Sequence, residues 1–113
     1  MAKPLNFNSL KKKYLTVTLP NDNRTVLMIG TPTKAILDEF LSLQDSIEDL
    51  SGNMQGETLD LFYDICSKIM SRNKAGIDIS REFVSEIFDF EDVIVFIQAY
   101  TEFIQEISNA KNS

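Results

Sequence analysis

The stretch Tyr14-Leu15-Thr16-Val17-Thr18-Leu19-Pro20-Asn21-Asp22-Asn23-Arg24-Thr25-Val26-Leu27-Met28-Ile29-Gly30-Thr31-Pro32-Thr33 decides the fold, because the apolar period changes at its end. Leu15, Val17 and Leu19 alternate with Tyr14, Thr16 and Thr18. A period of two built from β-branched residues reads as a strand with one face inward. Pro20-Asn21-Asp22-Asn23 is a turn cluster in which Asn or Asp can take left-handed backbone angles, and Thr25 to Ile29 follows as a second strand. The two form an antiparallel hairpin. Gly30 then closes it, with Thr31 expected as the cap of a helix and Pro32 as its first residue.

Beyond this point the period is helical. Ile36, Phe40, Leu43, Ile47 and Leu50 recur at steps of four and three, predicting a helix to about Leu50 that Ser51-Gly52-Asn53 stops. Leu59, Phe62, Cys66 and Ile69 predict a second helix over about 55–72, flanked by Ile65 and Met70 and ended by Asn73-Lys74-Ala75-Gly76. Ile77-Asp78-Ile79 reads as a brief extended segment. Ser80 caps a short third helix holding Phe83, Val84, Ile87 and Phe88, and Asp89 with Asp92 forms a variant capping box for a long fourth one. In that last helix Val93, Ile97, Tyr100, Ile104 and Ile107 step by four and three. The fold class is therefore α+β, mainly α. A basic arm over 1–13 precedes a single domain over 14–109, and a polar tail over 110–113 is expected to fray.

With 113 residues, 43% of them hydrophobic, the chain can build one core and not two. It has no histidine and a single cysteine. That removes Ser-His-Asp and Cys-His catalysis, histidine zinc sites and any internal disulfide, and favours a reducing cytoplasm. Cys66 falls on an apolar stripe and reads as a buried structural thiol. Asp89, Glu91 and Asp92 cluster at a helix start, where the helix dipole accounts for them without a metal. The glycines at 30, 52, 56 and 76 make neither a phosphate loop nor a dinucleotide fingerprint. The chain is expected to be non-catalytic, with no metal and no cofactor.

Net charge is −6, but residues 1–34 carry +5 and residues 35–113 carry −11. So acidic a body repels nucleic acid. No apolar run is long enough to span a bilayer and no leader pattern is present, so the chain is expected to remain in the compartment where it is made.

The fourth helix carries a wide apolar stripe. Taking Val93 as the origin, Phe96 and Phe103 fall about 60° to 80° to one side and Ile97, Phe90 and Ile94 about 40° to 100° to the other, roughly 180° in all. The first helix shows a similar excess in Leu37 and Leu41. Two explanations compete: each helix is buried between two neighbours, or one edge of the stripes forms a groove or oligomer seam. On the second, Leu37, Leu41, Phe96, Tyr100 and Phe103 are the partner-binding anchors, and an acidic rim suits a basic amphipathic helix. A two-stranded hairpin is marginal alone, so it must pack on the helices or pair with another copy, and self-association is expected.

Several runs carry a family resemblance. Tyr14-Leu15-Thr16-Val17-Thr18-Leu19-Pro20, Ile29-Gly30-Thr31-Pro32-Thr33-Lys34, Asn73-Lys74-Ala75-Gly76, Phe90-Glu91-Asp92 and Phe96-Ile97-Gln98-Ala99-Tyr100 resemble the small tail assembly chaperones of long-tailed phages and prophages of Gram-positive bacteria. The similarity covers residues 14–107 through the order and spacing of these runs. It implies a virion assembly factor of the host cell cytoplasm that is absent from the mature virion. Such a factor binds the helical tape measure protein, keeps it soluble, gathers tail tube protein around it and is then released. The family also has short and frameshift-extended forms, and it offers no catalytic residue to carry over. The alternative of a different class is a small acidic helical inhibitor or adaptor that occupies a basic partner surface.

Overall fold

The structure, a computed structural model, describes the backbone of residues 12–48 and 56–111 and the side chains of 12–43 and 59–108. Its elements are β1 (Leu15–Thr18), β2 (Val26–Ile29), α1 (Lys34–Glu48), α2 (Gly56–Met70), α3 (Arg81–Ile87) and α4 (Phe90–Lys111). An N-terminal hairpin followed by four helices is the α+β, mainly α, architecture that the change of period predicts.

The strands pair antiparallel, with Leu15 opposite Ile29, Thr16 opposite Met28, Val17 opposite Leu27 and Thr18 opposite Val26. Leu19, Leu27 and Ile29 are almost wholly buried, and Thr16, Thr18, Val26 and Met28 face outward. The turn differs from expectation in one residue. Arg24, and not an Asn or Asp, takes the left-handed angle (φ 47°). Asn21 is occupied otherwise: its Oδ1 accepts from Thr25 N (2.9 Å), its Nδ2 donates to Thr25 Oγ1 (2.9 Å), and its carbonyl accepts from Arg24 N (3.0 Å). A side chain that clamps both ends of a turn leaves the next position to absorb the reversal.

The start of α1 is also displaced from expectation. Thr33 Oγ1, and not Thr31, accepts from Ile36 N (3.4 Å), while the Thr31 carbonyl is taken by Arg72 Nε (2.7 Å). Ser80 caps α3 as expected, accepting from Phe83 N (3.1 Å). The Asp89 and Asp92 pair closes the start of α4 reciprocally: Asp92 N donates to Asp89 Oδ1 (2.9 Å) and Asp89 N to Asp92 Oδ2 (3.0 Å). At its other end α4 runs to Lys111. The arm expected over 1–13, except Lys12 and Lys13, lies outside the described residues, as does the stop at 51–53.

One junction was hidden in the sequence. The segment after α2, read above only as a helix stop, touches β2 through a single antiparallel bridge between Asn73 and Ile29. Gly30 N donates to Arg72 O (2.9 Å) and Lys74 N to Met28 O (2.9 Å). Asn73 is buried and fully used: its Nδ2 donates to Met70 O (2.9 Å) and Ile77 O (2.7 Å), and its Oδ1 accepts from Ile77 N (2.9 Å). Ser71 fastens the same loop from the other side, accepting from Ile79 N (3.0 Å).

The core is continuous. Phe40 and Leu43 of α1, Phe62, Ile65, Cys66, Ile69 and Met70 of α2, Val84 of α3, and Val93, Ile97 and Tyr100 of α4 meet the inner face of the hairpin. Because the buried Asn73 side chain satisfies three backbone groups of an otherwise exposed loop, Asn73→Leu should strand them and cost about 1–3 kcal/mol. Urea unfolding followed by circular dichroism should show the midpoint falling by roughly 1 M or more. A midpoint unchanged from the parent would mean that this loop does not hold the hairpin to α2.

Candidate functional site

The five residues expected to form a partner-binding surface do not share one. Phe96, Tyr100 and Phe103 are 4%, 0% and 6% exposed, deep in the core. Leu37 is half-buried, and Leu41, 47% exposed, is the one anchor that faces solvent. The aromatic anchors are therefore corrected to structural residues. The physical reason is that α4 has several neighbours: α2 packs against it, and α1 and the end of the hairpin reach it through Tyr100. Of the two explanations for the stripe, burial between neighbours accounts for its aromatic side.

These rings form a connected chain. Tyr100 meets Phe40 edge to face (centroids 5.5 Å apart, planes at 88°), stacks near-parallel on Phe96 (6.1 Å, 17°) and touches Phe103 (5.8 Å). Phe96 in turn meets Phe88 (6.1 Å). Such pairs contribute about 0.5–1.5 kcal/mol each beyond area burial. The Tyr100 hydroxyl donates to the Gly30 carbonyl (2.9 Å), tying α4 to the end of the hairpin. Burial raises its pKa well above the ordinary value, opposed weakly by Arg72.

Cys66, Tyr63 and Lys68 are engaged within the fold. Cys66 is fully buried, and desolvation pushes its thiol from 9.0 up to about 12, which suppresses the thiolate needed for reaction. Tyr63 donates to the Phe88 carbonyl (2.9 Å), and its pKa is raised by burial first and then by nearby Asp89. Lys68 reaches Glu39 (3.0 Å) on α1 and Asp64 (3.0 Å) on its own helix, and its hydrogen bonds to these carboxylates raise its pKa. Among the described residues no three His, Cys, Asp or Glu side chains converge as metal ligands, and no helix is long and apolar enough to cross a membrane.

The exposed apolar surface lies elsewhere. Leu41 on α1, Leu61 on α2 (48%) and Val95 on α4 (63%) stand outside, with Phe90 at the start of α4 (36%) and Val26 and Met28 on the outer face of β2 (57% and 40%). The sequence held a signal for two of these. Leu59-Asp60-Leu61-Phe62 and Val93-Ile94-Val95-Phe96-Ile97 contain more apolar residues than one face can hold, and Val95 falls about 200° from Val93.

Two outcomes follow from the buried hydroxyl and thiol. Tyr100→Phe should cost about 1–2 kcal/mol by depriving the Gly30 carbonyl of its donor, read as a lower urea midpoint with unchanged helical circular dichroism. Cys66, Tyr63, Tyr100 and Lys68 all have folded pKa values above their unfolded ones. Their stabilising contributions are complete below the unfolded values and are lost as pH rises toward the folded ones. With no histidine present, the melting temperature should be flat from pH 6 to 8 within about 2 °C and decline above about pH 9. A melting temperature that rises above pH 9 would contradict this assignment. No family model, no curated protein and no solved structure matches the chain.

Proposed function

We propose that the chain is a non-catalytic tail assembly chaperone that covers apolar stripes of the helical tape measure protein in the host cell cytoplasm while tail tube protein assembles. The observation that carries this reading is the set of aliphatic side chains left in water on three helices, Leu41, Leu61 and Val95, of a chain whose residues 35–113 carry −11. A long helix with an uncovered apolar stripe aggregates unless another surface shields it. Aliphatic contacts with an acidic surround suit a helix that is apolar on one face and basic on its flanks. The resemblance of residues 14–107 to the chaperone family supports the same partner.

Release is as necessary as capture, because tube subunits must displace the chaperone. Several exposed aliphatic residues serve this better than one deep aromatic socket. Fully covering a Leu or Val contributes about 1.5–3 kcal/mol, and association itself consumes several kcal/mol of that gain. The resulting complex is held moderately and exchanges.

The acidic surface also suits the second reading, a small adaptor that occupies a basic partner. Asp38, Asp60, Glu82, Glu86, Glu91, Glu102 and Glu106 are all exposed. Salt separates the two, since apolar burial is little screened and surface charge is. Co-purification with a tape measure fragment should survive about 1 M salt, roughly sevenfold above physiological ionic strength. It should weaken at least about tenfold in Leu41→Glu or Val95→Glu, at unchanged stability within about 0.5 kcal/mol. Capture that vanishes in salt and ignores both substitutions would replace the chaperone by the adaptor.

A further inference from the structure

The hairpin has two edges, and they are treated differently. The edge of β2 is bonded by the loop after α2, through Lys74 N to Met28 O and Gly30 N to Arg72 O. On the other side, register decides which groups point out. Leu19 N donates to Thr25 O (2.8 Å), so Leu15, Val17 and Leu19 aim their amides into the hairpin, and Tyr14, Thr16 and Thr18 aim theirs away from it. Among the described residues no hydrogen bond reaches the backbone N–H or C=O of Thr16 or Thr18. Neither carries a charge, and both are β-branched. An uncharged, β-branched, unbonded edge is a template for another strand.

We infer that this edge pairs with the same edge of a second copy, antiparallel about a two-fold axis through Val17. In this register Thr16 lies opposite Thr18 of the other copy and Thr18 opposite its Thr16, so the free donors and acceptors satisfy one another reciprocally. The half-buried inner residues Leu15 and Val17 gain apolar cross-strand neighbours in the second copy's Leu19 and Val17.

Charge selects a second copy in this orientation. Lys12 and Lys13 stand at the start of β1, and Asp22, the only acidic residue among 1–34, stands in the turn beyond its end. Antiparallel pairing brings the Lys12 and Lys13 end of one copy toward the turn of the other, which holds Asp22 as well as Arg24, whereas parallel pairing would set lysines beside lysines. An open groove of about 370 Å³ lies beside the start of β1, lined by Lys13, Tyr14, Leu15, Glu102, Phe103 and Glu106 among others. The second copy's turn, with Asp22 and Arg24, arrives at this groove, whose walls carry a lysine and two glutamates. The pairing is independent of the partner that the helices bind, and the following test uses no such partner.

Sedimentation of the full chain across roughly 1 to 500 μM should show a shift from 12.9 kDa toward twice that mass. Thr16→Pro removes an outward N–H that β2 does not use, so it should raise the dimer dissociation constant at least tenfold with the helical circular dichroism unchanged. Thr16→Lys, which leaves the backbone unstrained, should do the same and decides the matter if the proline variant unfolds. Val17→Cys should form a reducible cross-link between copies, since Cys66 is buried and cannot compete. Val26→Lys, on the outer sheet face, should leave the dimer intact. A monomer at every concentration, or a dimer that resists both Thr16 variants or dissolves in Val26→Lys, overturns the inference.

Discussion

Everything else in this structure depends on Tyr100. Its hydroxyl holds the carbonyl of Gly30, where the hairpin ends, and its ring lies between Phe40 of α1 and Phe96 and Phe103 of its own helix. A two-stranded hairpin is marginal in water, and this one carries only four residues in each strand. It persists because one strand end is tied to α4 through Tyr100 and to the end of α2 through Arg72 and Asn73. The hairpin then roofs the core with Leu19, Leu27 and Ile29.

Much of this was legible in the sequence because it rests on local chemistry. Alternation in Leu15 to Leu19 set the inner face of β1, Ser80 and the Asp89–Asp92 pair marked two helix starts, and the four-three spacing in α2 named its buried side. Each of these signals lies within a few residues of what it controls. The displaced features depend on distant partners. Thr31 is a sound cap by type, yet its carbonyl is bonded by Arg72, 41 residues away, and Thr33 caps the helix instead. Asn73 looks like a helix stop in any sequence. Its burial and its bridge to Ile29 exist only once the hairpin has docked.

The exposed apolar surface was the least legible feature, for a geometric reason. A helical wheel measures the width of an apolar stripe and is silent on how many neighbours cover it. A stripe of roughly 180° means an exposed seam if one neighbour is present and a buried helix if there are two. Phe96, Tyr100 and Phe103 fall in the second case. What remains outside is found by asking which residues of an apolar run cannot fit the stripe at all. Leu61 and Val95 answer to that test, and Leu41, beside the α1 stripe, stays in water for a similar reason.

Moving the exposed apolar surface from aromatic to aliphatic residues changes what the chain can do. Aromatic anchors combine large area with few rotors and dominate tight interfaces. Here they are spent inside, on a core that must be held together in a chain of 113 residues without a disulfide or histidine-bound metal. The side chains left for a partner are smaller and are carried by separate helices, so any complex built on them is the sum of modest terms. On the proposed reading, contacts of that kind would hold a long apolar stripe by repetition along its length and would yield as a competing protein took them over a few at a time. The open strand edge acts by different physics, through directional backbone bonds that require a matching edge. On the two proposals above, the β1 edge and the exposed Leu41, Leu61 and Val95 belong to different elements, so a paired hairpin would present two sets of these side chains to one long partner. Avidity then compensates for the weakness of each contact while preserving the exchange of each.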